Sequence, residues 1–106
     1  MRYYKQGAEL GSAEATCALG IAYLHGDGVK RSVNKGMKRL REAARMGNAM
    51  AMHQLGMCFR SGDGVEQDYI VAFKHFSNGA AKNHSGCWYD LGLMYENGEG
   101  VTRDPG

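Results

Sequence analysis

The chain has 106 residues, of which 43% are hydrophobic, and this is enough for one small packed domain. Its net charge of +2 is too small to indicate nucleic-acid binding by itself, and no apolar run approaches the roughly 18 residues that a membrane-spanning helix needs. The N-terminal segment lacks the apolar core of a signal peptide, and the three cysteines, an odd number, argue against a disulfide framework and favour a reducing, cytoplasmic compartment.

The predicted elements follow from a 36-residue repeat that needs no insertion to stay in register. Leucine-glycine pairs, glycine-x-glycine-valine segments and aromatic positions all recur at this interval. The leucine-glycine pairs are Leu19-Gly20, Leu55-Gly56 and Leu91-Gly92. A glycine inside a helix costs about 1 kcal/mol relative to alanine, so we expect a neighbouring helix to approach closely at these three glycines.

In chain order the pattern predicts six helices, at about 2–10, 13–25, 34–46, 49–60, 69–82 and 85–97, with a loop in the tail 98–106. Asp68 is the predicted N-cap of the fifth helix, and Gly11, Gly47 and Asn83 stand where a left-handed C-cap belongs. The first of these helices is the second member of a pair, and the last is the first member of a pair.

We interpret residues 1–106 as a single repeat domain with a partial unit 1–11, full units 12–47 and 48–83, and a partial unit 84–106. Such ends leave faces that normally stack on further repeats. We therefore expect either an excerpt of a longer protein or end-to-end self-association through the terminal helices.

The combined pattern resembles the Sel-one-like repeat, a relative of the tetratricopeptide repeat. The residues of one unit that carry the resemblance are Ala51, Leu55-Gly56, Phe59, Gly62-Asp63-Gly64-Val65, Asp68, Ala72, Phe76, Gly79-Ala80 and Asn83. Two departures are Ser32, where the pattern has aspartate, and Gly79, where it has alanine. The resemblance implies an all-α fold, a right-handed α-solenoid of antiparallel helix pairs (an α/α superhelix), that acts as a scaffold or adaptor for other proteins.

In families similar to this one, the first helix of each pair lines a concave surface that binds ligands. Steps of 100° per residue place a second set of side chains opposite the core face of each first helix. These candidate partner-binding residues are Glu14, Cys17, Ile21, His25, Met50, His53, Met57, Arg60, Tyr89, Leu93 and Glu96. Their mixture of Met, Ile, Leu, Tyr and His suits peptide binding. The alternative is that some of them pack against a neighbouring helix.

We predict no metal, cofactor or catalytic site. Cys17, His53 and Tyr89 share one repeat position, but only two of them are good metal ligands. The acidic residues within the glycine loops are interpreted as turn residues, because a calcium loop needs several oxygen ligands at alternate positions. No Ser-x-x-Lys motif or nucleophile with a recognisable base occurs, so the chain is not expected to be an enzyme.

Two alternatives to a protein-interaction scaffold remain. Gly86-Cys87 is similar to the start of units in cysteine-rich bacterial secreted proteins of this repeat family, some of which are linked to β-lactam binding or hydrolysis. Those units pair this cysteine with one on the second helix, but Ala80 stands at that position, so the bridge framework is missing and the analogy fails. A hydrolase of the β-lactam or peptidoglycan type is kept as the alternative function. The other alternative is a purely structural segment of a longer repeat array.

A basic segment runs from Lys30 to Arg45 and contains Glu42 as its single acidic residue. We interpret it as a solvated outer face, with an acidic partner, nucleic acid or an anionic membrane surface as the functional alternatives. For the chain as a whole the expected partner is a protein or peptide, and neither a nucleic-acid partner nor a membrane span is expected.

Overall fold

The structure is a computed structural model that describes residues 12–100, which form five α-helices and contain no strand. They are α1 (Ala13–His25), α2 (Val33–Arg45), α3 (Ala49–Ser61), α4 (Tyr69–Ala81) and α5 (Ser85–Asn97). The five helices predicted in this range are confirmed, with ends that differ from the prediction by at most one residue. The helix predicted at 2–10 lies outside the described residues. None of the five is long and apolar enough to cross a membrane.

The second helices begin at polar caps that the repeat pattern anticipates. The Asp68 carboxylate accepts hydrogen bonds from the backbone N–H groups of Ile70 and Val71, at 3.0 and 3.2 Å, as predicted for an N-cap. Ser32 fills the same position before α2, and its hydroxyl accepts a bond from the Lys35 N–H at 3.3 Å. The serine that departs from the family pattern therefore still satisfies one of the free N–H groups of the first turn.

The second helices end as expected, in a residue with left-handed backbone conformation. Gly47 after α2 has φ 91° and Asn83 after α4 has φ 63°. Glycine adopts this region without steric penalty, and asparagine is among the side chains that tolerate it best. The left-handed conformation predicted at both positions is confirmed, with Met46 and Lys82 as the cap residues just before them, while Gly11 lies outside the described residues.

The chain divides into two compact units between Ala51 and Met52. Unit 1 contains α1, α2 and the first turn of α3, and unit 2 contains the rest of α3 with α4 and α5. The assignment of residues 1–106 to one domain with these repeat boundaries stays a prediction.

In unit 1, α1 and α2 pack against each other at two glycines. A Cβ atom on Gly20 would lie 2.9 Å from Leu40 Cγ and 3.0 Å from the Gly36 carbonyl oxygen. A Cβ atom on Gly36 would lie 2.8 Å from Leu24 Cδ2. Because residue 20 faces residues 36 and 40 while residue 24 faces residue 36, the two helices are antiparallel. The predicted close approach at Gly20 is confirmed.

In unit 2, α4 packs against both α3 and α5. A Cβ atom on Gly56 of α3 would lie only 2.6 Å from the ring of Phe76, which is fully buried. One turn further along the same side of α4, a Cβ atom on Gly79 would collide with Cys87 Sγ. The glycine that departs from the family pattern is therefore the residue that makes room for Cys87. The core of this unit consists of Ala72, Phe76, Ala80, Cys87, Leu91 and Met94.

Candidate protein-interaction site

The predicted partner-binding residues of unit 1 lie mostly at the surface. Glu14, His25 and Met50 are exposed, and Ile21 is half-buried. Cys17 is the exception, since only 3% of it is exposed. The expectation that Cys17 lies on an accessible binding face is therefore wrong.

Cys17 is buried because the covered part of α1 is wider than the stripe read from the repeat. At 100° per residue, the buried positions extend over about 220° of the helix circumference. These positions are Thr16, Cys17, Leu19, Gly20 and Ala22. Cys17 lies at the edge of this sector, whereas Glu14, Ile21 and His25 lie outside it. Burial raises the pKa of the Cys17 thiol to about 11, so the thiol stays protonated at neutral pH.

In unit 2 the predicted residues are of two kinds. Met57, Tyr89 and Glu96 are exposed, with 44% of Met57 and 69% of Tyr89 accessible to solvent. The other three are only partly accessible, and they are His53, Arg60 and Leu93. The large exposed side chains of α3 and α5 are therefore the residues of this set that are available for contact.

His53 is engaged within the unit. Its Nε2 atom lies 2.7 Å from the Asp90 carboxylate, so it joins α3 to the first helix of the next pair, α5. The imidazole ring is also 5.0 Å from the ring of His84 and 5.9 Å from that of Phe76. Its Nδ1 atom is buried and has no hydrogen-bond partner among the described residues. This placement gives His53 a role in holding the helices together.

Arg60 makes the second link between these elements. Its Nε donates to the Glu99 carboxylate at 3.0 Å, so the end of α3 is tied to the loop that follows α5. Sequence reasoning interpreted Glu99 as a turn residue and missed its partner. The signal was a pair of complementary polar side chains little more than one repeat length apart, 37 residues for His53 and Asp90 and 39 for Arg60 and Glu99.

The cysteines are poorly suited to nucleophilic chemistry. Cys17, Cys58 and Cys87 are all buried free thiols. Burial, followed by the charge of Asp90, raises the pKa of Cys87 to about 11, and burial followed by the charge of Asp63 raises the pKa of Cys58. Because the thiolate is the reactive form, thiols with raised pKa values are poor nucleophiles at neutral pH. Within residues 12–100, no three His, Cys, Asp or Glu side chains are grouped so as to hold a metal ion.

One face of α5 differs from its equivalents in α1 and α3, and we name Trp88, Gly92 and Tyr95 the open face of α5. Trp88 is 59% exposed and Tyr95 is 50% exposed. A Cβ atom on Gly92 would meet nothing within 4 Å, so the close approach predicted at this glycine is not found among the described residues. At the equivalent positions, Gly56 is covered by Phe76 and Met52 is 8% exposed.

The family model of the Sel1 repeat matches residues 1–12, 13–48, 49–84 and 89–106. No curated protein matches the chain. Among solved structures, the chain is similar to a protective antigen of uropathogenic Escherichia coli strains that displays an SLR fold, with 35% identity and a TM-score of 0.92 over 97% of this chain. It is also similar to a Sel1 repeat protein from Oxalobacter formigenes, with 32% identity and a TM-score of 0.86 over 97% of this chain. The chain spans 22% of the first of these proteins and 77% of the second.

Proposed function

Because the chain belongs to the Sel1 repeat family, we propose that it is a non-catalytic protein-interaction module that binds a peptide or protein through its first helices. Its fold is the predicted one, the all-α solenoid of antiparallel helix pairs that the family shares. Members of this family generally serve as interaction scaffolds. The finer proposal, the binding face, is argued from unit 2.

The observation that carries the proposal is the exposure of Met57 on α3 and Tyr89 on α5. Each lies close to a residue of the His53–Asp90 hydrogen bond, since Tyr89 precedes Asp90 and Met57 is one turn beyond His53. The backbone beneath both side chains is thus held before a ligand arrives, which lowers the entropy that binding must overcome. Flexible methionine and amphipathic tyrosine are side chains that protein interfaces favour. The corresponding candidates of unit 1 are Glu14, Ile21, His25 and Met50.

Removing the two exposed side chains is the direct test. We expect the double variant Met57→Ala, Tyr89→Ala to bind a peptide selected from a phage-displayed library about tenfold or more weakly than the wild type, because central aromatic and apolar residues dominate interface energies. Isothermal titration calorimetry measures the change. The control is Ile70→Ala, because Ile70 is 72% exposed but lies on a second helix, α4.

An unchanged affinity in the double variant, or an equal loss in Ile70→Ala, would contradict the proposed binding face. The enzymatic alternative has a separate readout. Saturable hydrolysis of a chromogenic β-lactam by the wild-type chain would overturn the non-catalytic assignment, whatever the peptide experiment shows.

The open face of α5 favours a second role, end-to-end self-association. Helix positions equivalent to Trp88 and Gly92 are buried in α1 and α3, where a second helix covers them. The occupant we propose is the N-terminal segment of another copy, since residues 1–12 match the family model and Tyr4 has the repeat position of Leu40 and Phe76.

Trp88 reports on this association because it is the only tryptophan of the chain. We expect the weight-average mass in analytical ultracentrifugation to rise with concentration, and the Trp88 emission to shift to shorter wavelength as the indole loses contact with water. Trp88→Glu should keep the chain monomeric, because it places a charge in an apolar contact. The matched control is Ile70→Glu, which should associate like the wild type. A wild-type chain that stays monomeric at all concentrations would rule this role out.

A further inference from the structure

The outer side of α2 carries a row of cations that the proposed binding face does not use. We name Lys38, Arg41 and Arg45 the basic stripe. Their spacings of three and four residues place them on one side of the helix, and all three are exposed. The opposite side of α2 is buried at Gly36, Met37, Leu40 and Ala43, so the helix that carries the stripe is fixed in the core of unit 1.

The fold does not require this stripe. The same repeat positions on α4 hold Lys74, Ser77 and Ala81, and α4 is a helix of the same length. A basic residue in the last turn, such as Arg45, interacts favourably with the helix dipole, but Ala81 shows that the repeat forms without it. Because α4 keeps only the first of these cations, as Lys74, the repeat folds without Arg41 and Arg45.

The stripe also lacks counter-charges. The acidic residue of this segment, Glu42, is bonded to Arg39 at 3.2 Å. No ion pair joins any member of the basic stripe to another residue in the described part of the chain. The neighbouring cations Lys30, Arg31 and Lys35 add to the same positive potential. A surface of this kind attracts a partner of opposite charge.

The surrounding residues distinguish between the anionic partners. No aromatic residue occurs from Lys30 to Arg45, so the segment has no side chain of its own on which the bases of a single strand could stack. The apolar side of α2 is packed inside the unit, so the helix has no free apolar face to insert into a bilayer. A protein partner needs neither an aromatic platform nor a free apolar face, because arginine side chains bind carboxylates through paired hydrogen bonds.

We propose that the basic stripe binds an acidic helical segment of a partner protein, separately from the first-helix face. Three carboxylates at spacings of three and four residues on such a helix would repeat the separations of the stripe, about 4.5 and 6 Å along the axis at 1.5 Å per residue. The three cations then face three anions in register. The proposal stands independently of the peptide-binding face, because it uses a second helix.

The probe is a fluorescein-labelled alanine-rich helical peptide with glutamates at these spacings, and fluorescence anisotropy measures its binding. We expect Lys38→Glu, Arg41→Glu, Arg45→Glu to weaken binding about tenfold or more, and added salt to weaken wild-type binding, since exposed charges are screened. A milder variant, Arg41→Ser with Arg45→Ala, introduces the residues that α4 has at these positions. It should therefore fold even if the triple charge reversal does not. It should also lose affinity.

The matched control is Lys74→Glu, which reverses the exposed charge at the α4 position equivalent to Lys38 and should leave binding unchanged. Parallel titrations use a duplex DNA oligonucleotide and phosphatidylserine-containing vesicles. The proposal is overturned if the peptide does not bind, if the Arg41 and Arg45 variant binds it as tightly as the wild type, or if DNA or vesicles bind more tightly than the peptide.

Discussion

Truncating Phe76 to alanine is expected to lower the free energy of unfolding by about 3–5 kcal/mol, the largest single effect we predict. Phe76 is fully buried and belongs to the core of unit 2, between α3 and α5. Removing its ring leaves a cavity beside Gly56, which has no side chain with which to fill it. Small domains are stable by only about 5–15 kcal/mol, so this variant should lie close to the folding threshold.

Urea denaturation followed by Trp88 fluorescence measures the loss, since the indole is in the same unit. Ile70→Ala on the same helix is the control, because 72% of Ile70 is exposed and its truncation should change stability by no more than about 0.5 kcal/mol. Losses of similar size in the two variants would show that Phe76 is not the centre of the core.

Gly56→Ala and Gly92→Ala are expected to change stability in opposite directions, although they lie at the same repeat position. At Gly56 the new methyl group would overlap the buried Phe76 ring, and overpacking of this kind costs about 1–3 kcal/mol. At Gly92 no atom of residues 12–100 lies within 4 Å of the new methyl group, so the helix propensity of alanine dominates, and it stabilises by about 1 kcal/mol. At Gly56 the same gain in helix propensity offsets part of the free-energy cost of overpacking.

The measurement is the difference in denaturation midpoint between the two variants at low protein concentration, where association is minimal. A third variant, Gly56→Ala with Phe76→Ala, tests the cause. It should lose less than the sum of the two single changes, because the added methyl group occupies space that the ring has left. A stabilising effect of Gly56→Ala would mean that α3 and α4 are less closely packed than the structure has them.

Helix positions were predictable from the sequence because the chemistry that starts and ends a helix is local. Asp68 and Ser32 cap with their own side chains, and the residues after α2 and α4 are of types that accept positive φ. Because the pattern occurs in three copies, the helix limits predicted in one unit could be compared with those predicted in the others. This is why the predicted and observed ends agree within one residue.

Accessibility on the candidate binding face was less predictable. A helical wheel places Cys17 beyond the core stripe. The wheel does not show how many helices pack against α1, and this number sets the width of its buried face. The same limit applies to His53 and Arg60, whose partners Asp90 and Glu99 lie on another element. These two contacts depend on the lateral distance between neighbouring elements, and that distance cannot be read from the length of the repeat.

The repeat, the helix limits and the family could be read from the sequence alone, because each follows from local spacing and from residue types that recur every 36 residues. Which of these equivalent positions are covered depends on how the helices pack. Gly56 lies beneath Phe76 while Gly92 has no such neighbour among residues 12–100, since burial depends on what packs against a residue and not on its place in the repeat. Helix packing also leaves Met57 and Tyr89 exposed for contact with a partner, whereas His53 and Arg60 are bonded to Asp90 and Glu99.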